Sequence, residues 1–262
     1  RLYPATYAVS KQLLSVYNKP IIYYSLSTLM LADIKDILII TTQEDLKNYK
    51  KLFGNGSRLG IKIQYLVQKK PKGLVDAFVL GSKFIGKDDV CLILGDNIFY
   101  GDNFPQLMHQ SKKIVKEKQK AVLFTFPVKN PSEYGIAFTR KNKLITIKEK
   151  PKNSNSRNAI VGLYFYPNSV VKISKKIKPS KRGELEITDL NLLYLKKNNI
   201  ELIKMGRGYA WFDAGTENSL NEVSQLIKSI ESRMGYKIGC IEEIAYDKKW
   251  ISKNEIKKIT KI

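Results

Sequence analysis

Histidine is all but missing: His109 is the only one in 262 residues. That count excludes a Ser-His-Asp triad and any metal site built on several imidazoles. Its setting, His109-Gln110-Ser111-Lys112-Lys113, predicts an exposed helix position. Cysteine is scarce too. Cys91 lies in a β-like apolar run and Cys240 lies far from it, so a core thiol and a stray thiol are expected rather than a disulfide. That fits a reducing, cytoplasmic setting. No apolar run approaches the length of a membrane span, so no membrane partner is expected. Arginine is sparse within a large positive charge. The net charge is +22, yet only seven of 46 basic residues are arginine. Base readers lean on arginine and on aromatics set among the cations. Here lysines such as Lys112, Lys113, Lys116, Lys118 and Lys120 are spread over polar faces. A nucleic-acid partner is therefore not expected, although the field suits anionic nucleotides and sugar phosphates.

What is present is a regular alternation of helical and extended patterns. Helix is predicted over 20–32, 42–53 and 74–85, with a polar helix ending at about 118, and strand over 36–41, 61–67, 90–94 and 121–127. This order predicts a doubly wound, mostly parallel α/β sheet for residues 1 to about 130. The pattern then changes. A hairpin is expected from strands at 135–138 and 144–148, with a further strand at 160–166. A short helix is expected at 169–177, a longer one at 184–197, and extended segments at 202–205 and 209–212. Thr216 is placed to start a long helix to Met234, and small helices follow. With no repeat and no linker-like stretch, 1–262 reads as one domain. It divides into a nucleotide-binding part (1–130), a sugar-binding part (131–215) and C-terminal helices (216–262).

Two carboxylates stand out. Asp96, in Leu94-Gly95-Asp96-Asn97, follows a buried-looking strand, where open α/β sheets bind their ligands. Asp213 recurs in Gly208-Tyr209-Ala210-Trp211-Phe212-Asp213-Ala214-Gly215-Thr216, an apolar and aromatic run in which a buried acid needs a partner. Two such acids suit one Mg²⁺ held against phosphate oxygens. The cationic front segment, with Arg1 and Lys11, could clamp a polyphosphate or be a solvated loop. Glu184 and Glu186, on the residues alone, read best as first-turn helix acids. Tyr134 and Tyr164 read equally well as half-buried aromatics.

In order along the chain stand Arg-Leu-Tyr-Pro-x-Thr, Ser-Lys-Gln-Leu, Lys-Pro-Ile-Ile-Tyr-Tyr, Leu-Gly-Asp-Asn, Glu-Lys-Pro, Gly-Leu-Tyr-Phe-Tyr, Arg-Gly-Glu-Leu-Glu-Ile-Thr-Asp and Gly-Tyr-Ala-Trp-Phe-Asp-x-Gly-Thr. Over nearly its whole length the chain resembles the sugar-1-phosphate nucleotidylyltransferases, and among them the thymidylyl-transferring branch. The resemblance implies a Rossmann-like nucleotide-diphospho-sugar transferase fold with a sugar-binding insertion. It implies Mg²⁺-dependent transfer of thymidylate from dTTP to glucose 1-phosphate, by in-line displacement of pyrophosphate. It also implies a homotetramer and a place in deoxysugar supply such as rhamnose synthesis.

Residue roles follow from the same resemblance. Arg1 and Lys11 would be catalytic, on the triphosphate and near the α-phosphate. Gln68 and Gly73 would meet the thymine, and Asp96 with Asp213 would hold Mg²⁺ at the nucleotide. Tyr134, Gly135, Glu149, Lys150, Gly162, Tyr164, Arg182, Glu184 and Trp211 would bind or shape the sugar phosphate pocket.

Departures from the family pattern are also visible. The family opens with a strand and a glycine-rich loop before the arginine that stands here as Arg1, and the sequence has neither. The expectation is a fragment of a longer product, its central sheet short of a strand. A non-catalytic homologue is the alternative, and a relative using another nucleotide or hexose phosphate is a second. Asp76 stands where the family often has an amide near the base. An extra carboxylate there would weaken nucleotide binding or simply face solvent. Lys69, Lys70 and Lys72 make the same loop cationic, and Ala214 replaces a common threonine.

Overall fold

A computed structural model of the chain describes residues 2–259. Arg1 lies outside the described residues. The strands are β1 (Ser15–Val16), β2 (Lys19–Pro20), β3 (Asp36–Thr41), β4 (Lys62–Val67), β5 (Val90–Ile93) and β6 (Asn97–Gly101). They continue with β7 (Ala121–Pro127), β8 (Gly135–Arg140), β9 (Lys143–Glu149), β10 (Asn158–Tyr166), β11 (Ile200–Lys204) and β12 (Tyr209–Asp213). The helices are α1 (Ile21–Leu31), α2 (Leu46–Phe53), α3 (Asp76–Leu80), α4 (Ser82–Ile85) and α5 (Phe104–Lys118). After these come α6 (Val170–Ser174), α7 (Ile187–Lys196), α8 (Glu217–Met234), α9 (Ile241–Asp247) and α10 (Lys253–Ile259).

The chain divides into two compact units. One comprises residues 1–67, 93–101 and 210–262; the other comprises 68–92 and 102–209. In the first, β3 and β4 pair in parallel from Asp36↔Lys62 to Thr41↔Val67. Among the described residues no second strand joins β3 or β4. Alternating burial along β4 (Ile63 in, Gln64 out) turns its apolar face to α1 and α2. Leu26, Met30, Tyr49, Phe53, Leu59 and Ile241 fill that core. A second cluster gathers Val16, Tyr24, Ile98, Ala214, Val223 and Ile227, where α8 meets α1 and β6. Helix α8 begins as expected. The Thr216 hydroxyl accepts from the Ser219 N–H, the Ser219 hydroxyl reaches back to the Thr216 backbone, and Gly235 at φ +72° ends the helix.

The second unit is built on a six-stranded sheet in the order β11-β7-β10-β8-β9, with β5 also paired to β10. The β11–β7 pairing is parallel. The β7–β10, β10–β8 and β8–β9 pairings are antiparallel. The α/β class stands, but the larger sheet is mixed because β10 returns between β7 and the β8–β9 hairpin. Apart from its first residue β10 is buried throughout, which explains its unbroken apolar run. Tyr164, Tyr166, Leu190, Tyr194 and Phe78 belong to the core on which α3, α6 and α7 pack.

Three local expectations shift. The helix expected over 74–85 breaks at Gly81, where φ −77° and ψ 2° leave the helical region, giving α3 and α4. The helix expected from Glu184 starts at Ile187. Leu185 is held extended instead: its N–H donates to Lys72 O (2.7 Å) and its carbonyl accepts from Val75 N–H (3.3 Å). Glu184 and Glu186 therefore precede the helix and are not first-turn acids. Strand β6 was not expected at all.

Candidate functional site

In the first unit the geometry centres on the turn between β5 and β6. Asn97 N–H donates to Leu94 O (3.1 Å), closing a tight turn that carries Gly95 and Asp96. Gly95 packs closely against the front segment and α1. A Cβ would lie 3.0 Å from Gln12 Cγ and 3.3 Å from Ile22 Cδ1. Helix α1 braces the turn from below, with the Ser25 hydroxyl within 3.1 Å of both Leu94 O and Asn97 O. A mid-helix serine, usually unfavourable, is used here to tie a loop.

Asp96 is buried, and so is Asn97 beside it. The Asp96 carboxylate accepts from Asn97 Nδ2 at 3.1 Å, and its other oxygen pairs with the Lys11 ammonium. Lys11 opens a single 3-10 turn (Lys11–Leu13) and stays partly exposed, so the pair joins a fixed acid to a movable cation. Asn97 is itself fixed, since Trp211 Nε1 donates to its Oδ1 at 2.7 Å.

Strand β12 pairs with β6. This brings Asp213, the last residue of β12, beside the Asp96 turn, and Ala214 N–H donates to Asp96 O at 3.0 Å. The Asp213 carboxylate folds toward Gly215, where a Cβ would lie 3.1 Å from Oδ1. Two acids 117 positions apart in sequence (213 − 96) thus occupy adjoining segments. Two carboxylates backed by neutral donors form a hard-oxygen donor set of the kind Mg²⁺ uses, with water and phosphate oxygens completing the shell. Among the described residues no group of three or more His, Cys, Asp or Glu side chains could form an all-protein cage.

The second unit holds the other predicted residues. Glu149 ends β9 opposite Gly135 on β8. Its Oε2 accepts from the Thr188 hydroxyl at 2.6 Å, in the first turn of α7. Gly135 makes room for that bond: a Cβ there would sit 3.3 Å from Glu149 Oε2 and 3.4 Å from Thr188 Oγ1. Lys150 has a left-handed backbone (φ +42°), and its N–H donates to Tyr134 O at 3.0 Å. Arg182 forks onto buried Glu186, with Nε and Nη2 2.9–3.1 Å from the carboxylate oxygens. It reaches Glu149 more loosely, at 3.5 Å. The Glu186 hydrogen bond is the main reason that the guanidinium is held above its ordinary value. Glu184 itself is exposed.

Tyr164 is buried and stacks on Tyr166, with ring centroids 6.1 Å apart. Burial first, and the Glu149 charge second, push its hydroxyl well up, so it stays protonated. Gly162 lies where the β10–β7 register slips between Ile160 and Tyr164. This cluster offers acceptors, cations and an apolar wall to a ligand rich in hydroxyls and negative charge.

Gln68 and Gly73 flank the cationic loop of the same unit. Gly73 must be glycine: at φ +94° a Cβ would come 2.6 Å from the Leu185 backbone. Gln68 Nε2 donates to Asp76 Oδ2 at 2.8 Å. Asp76 is buried, which removes the second of the two alternatives raised for it, that it simply faces solvent. A cavity of about 480 Å³ opens behind it, lined among others by Lys72, Asp76, Lys175 and Leu185. None of the predicted site residues lines that cavity. Burial pushes the Cys91 thiol up, so it is no nucleophile, and His109 is exposed on α5.

A family pattern described as nucleotidyl transferase matches residues 1–230. The chain belongs to the nucleotidyl transferase family. Within the family it is 47% identical, over all of its own length and 90% of the relative's, to a glucose-1-phosphate thymidylyltransferase of Neisseria meningitidis serogroup A. A Mycobacterium tuberculosis protein of the same description is 42% identical over 98% of this chain and 88% of the relative. A solved Bacillus anthracis structure, described as a candidate glucose-1-phosphate thymidylyltransferase with a sucrose, superposes with a TM-score of 0.78 at 38% identity. It covers 86% of this chain and 89% of that one. A UDP-glucose pyrophosphorylase in complex with UDP-glucose matches with a TM-score of 0.76 at 22% identity, a likeness of fold alone.

Sequence reasoning passed over the residues that brace this family site: Ser25, Asn97, Thr188 and Glu186. Only Asn97 and the Glu-Ile-Thr run carried a local signal, since each adjoins a motif acid. Ser25 could not be found from sequence, because its partners lie about seventy residues away.

Proposed function

We propose that the protein transfers a thymidylyl group from dTTP to glucose 1-phosphate, releasing pyrophosphate and forming dTDP-glucose. The observation that carries this reading is identity of 42–47% to thymidylyltransferases over nearly the full chain. In the proposed reaction a phosphate oxygen of glucose 1-phosphate attacks the α-phosphorus of dTTP, and the bond to the β-phosphate oxygen breaks. No side chain serves as nucleophile, which suits a chain with one exposed histidine and no activated thiol. Catalysis then rests on positioning and on neutralising charge.

Asp96 and Asp213 would hold Mg²⁺, supported by their adjoining segments and oxygen-only donor set. Bound there, the ion would draw charge from the phosphate oxygens and lower the cost of bringing two anions together. Lys11, already paired to Asp96, would neutralise charge near the α-phosphate. Arg1 would act on the leaving pyrophosphate. Glu149 and Lys150 would bind sugar hydroxyls and phosphate, with Tyr134, Gly135, Gly162 and Tyr164 lining the hexose. Arg182 would balance phosphate charge and Glu184 would meet the sugar. Trp211 would act through Asn97 by keeping the Asp96 turn in place.

The proposal treats 1–262 as one nucleotidyltransferase domain. It extends to a cytoplasmic homotetramer that supplies deoxysugar synthesis of the rhamnose type. The test is pyrophosphate release with dTTP, glucose 1-phosphate and Mg²⁺. Release that needs all three, with dTDP-glucose as product, supports the reading. Release that ignores the sugar phosphate, or none with any nucleoside triphosphate, overturns it.

A further inference from the structure

We infer that Asp76 sets which end of the Gln68 amide faces the nucleotide base, and so selects keto bases over amino bases. The inference rests on the proposed reading in which Gln68 meets the base. A side-chain amide has a donor end and an acceptor end, and a flip exchanges them. Asp76 removes that freedom. A carboxylate only accepts, so it takes the Nε2 end, as the 2.8 Å contact records. Asp76 is buried at the start of α3, and the intervening loop is pinned by two backbone hydrogen bonds to Leu185. Glycine at position 73 permits that close approach. The loop cannot easily drift, and the acceptor-only group stays where it is.

With one Nε2 hydrogen committed to Asp76, Gln68 keeps the other hydrogen, cis to Oε1, and Oε1 itself. It therefore presents an acceptor beside a donor. The complement is an N–H beside a carbonyl, the imide edge of thymine or uracil and the like pair on guanine. Cytosine, held in the same pose by the shared sugar and triphosphate, puts a bare ring nitrogen where the imide N–H stands and an amino group where its carbonyl stands. Pairing in that pose needs the flipped amide, which sets Oε1 against the buried Asp76 carboxylate, acceptor against acceptor. Asp76 is thus a positioning residue acting through Gln68, and the departure from the family amide tightens base choice rather than weakening binding.

The test compares dTTP, UTP and dCTP as substrates for the wild type, Asp76→Asn, Asp76→Ser and Gln68→Ala. Affinity for each nucleotide is also read by fluorescence titration, which needs no turnover. Two different Asp76 variants guard against one failing to fold. After Asp76→Asn the new side chain can offer either end, so the preference for dTTP and UTP over dCTP should fall by about 10-fold. Equal losses for all three nucleotides in both Asp76 variants would mean a merely structural role and would overturn the inference. If Gln68→Ala collapses the preference while the Asp76 variants keep it, the inference fails and the base reading stands. If Gln68→Ala leaves the preference intact, Gln68 does not read the base and both fall.

Discussion

The two units treat charge differently. In the first, the acid at the centre is buried, its carboxylate held by a neutral amide and paired with a partly exposed lysine on a short turn. In the second, the acids are tied into a network, with Arg182 forked on Glu186 and reaching Glu149, which is also held by Thr188. A single movable cation can be exchanged for another cation or shared with a phosphate. A forked, cross-linked network keeps its geometry and offers a fixed surface. The first arrangement suits the changing charges of a transfer reaction, and the second suits recognition of a fixed shape.

Substitutions sharpen that contrast. Asp96→Asn and Asp213→Asn remove exchangeable charge where charge develops. Each should lower kcat by at least about 100-fold, while circular dichroism stays that of the wild type. Near wild-type kcat in both would place the chemistry elsewhere.

Glu231 is the instructive control: a buried acid in the first unit with a locked network instead. Lys19, Lys237, Asn18 and the Ile238 N–H all reach its carboxylate. Glu231→Ala removes the acceptor that Lys19, Lys237, Asn18 and the Ile238 N–H share and should lower stability in urea unfolding by about 2 kcal/mol. Burial alone would push the carboxyl up, but the Ile238 N–H and the two ammonium groups outweigh it and hold it below the ordinary glutamate range. A folded value below the unfolded one stabilises above the unfolded value and is lost as pH falls through the folded one. The wild type should therefore lose this contribution as pH falls below the ordinary glutamate range, and Glu231→Ala should show a flatter acid limb.

Thr188→Val removes one donor from the second network. The KM for glucose 1-phosphate should rise about 5-fold, with a smaller change in kcat. An equal fall in kcat with KM unmoved would put Thr188 in the transfer step itself. The smallest effect belongs to Trp211→Phe, which leaves Asn97 Oδ1 without its indole donor. A loss of about 1 kcal/mol is expected, with a modest fall in kcat. Full stability and rate would show that Asn97 needs no brace.

Much of this contrast was legible in the sequence because its signals are local. The apolar run of β10, the Thr216 start of α8 and the motif acids Asp96 and Asp213 are read within a few residues. What was missed depends on partners distant in sequence. β6 exists because β12 pairs with it, and a Gly-Asp-Asn turn before it reads as loop. α7 starts late because Leu185 is bonded to the 72–75 loop. Asp76 is buried because that loop folds back, and its carboxylate then meets Gln68. Local propensity yields to tertiary hydrogen bonds in each case.

The most direct measurement is Mn²⁺ binding, a spectroscopic stand-in for Mg²⁺, followed by electron paramagnetic resonance with dTTP present. The account predicts one tight site in the wild type, weakened at least about 10-fold by Asp96→Asn and again by Asp213→Asn. Titrations of both variants that overlay the wild type would contradict it.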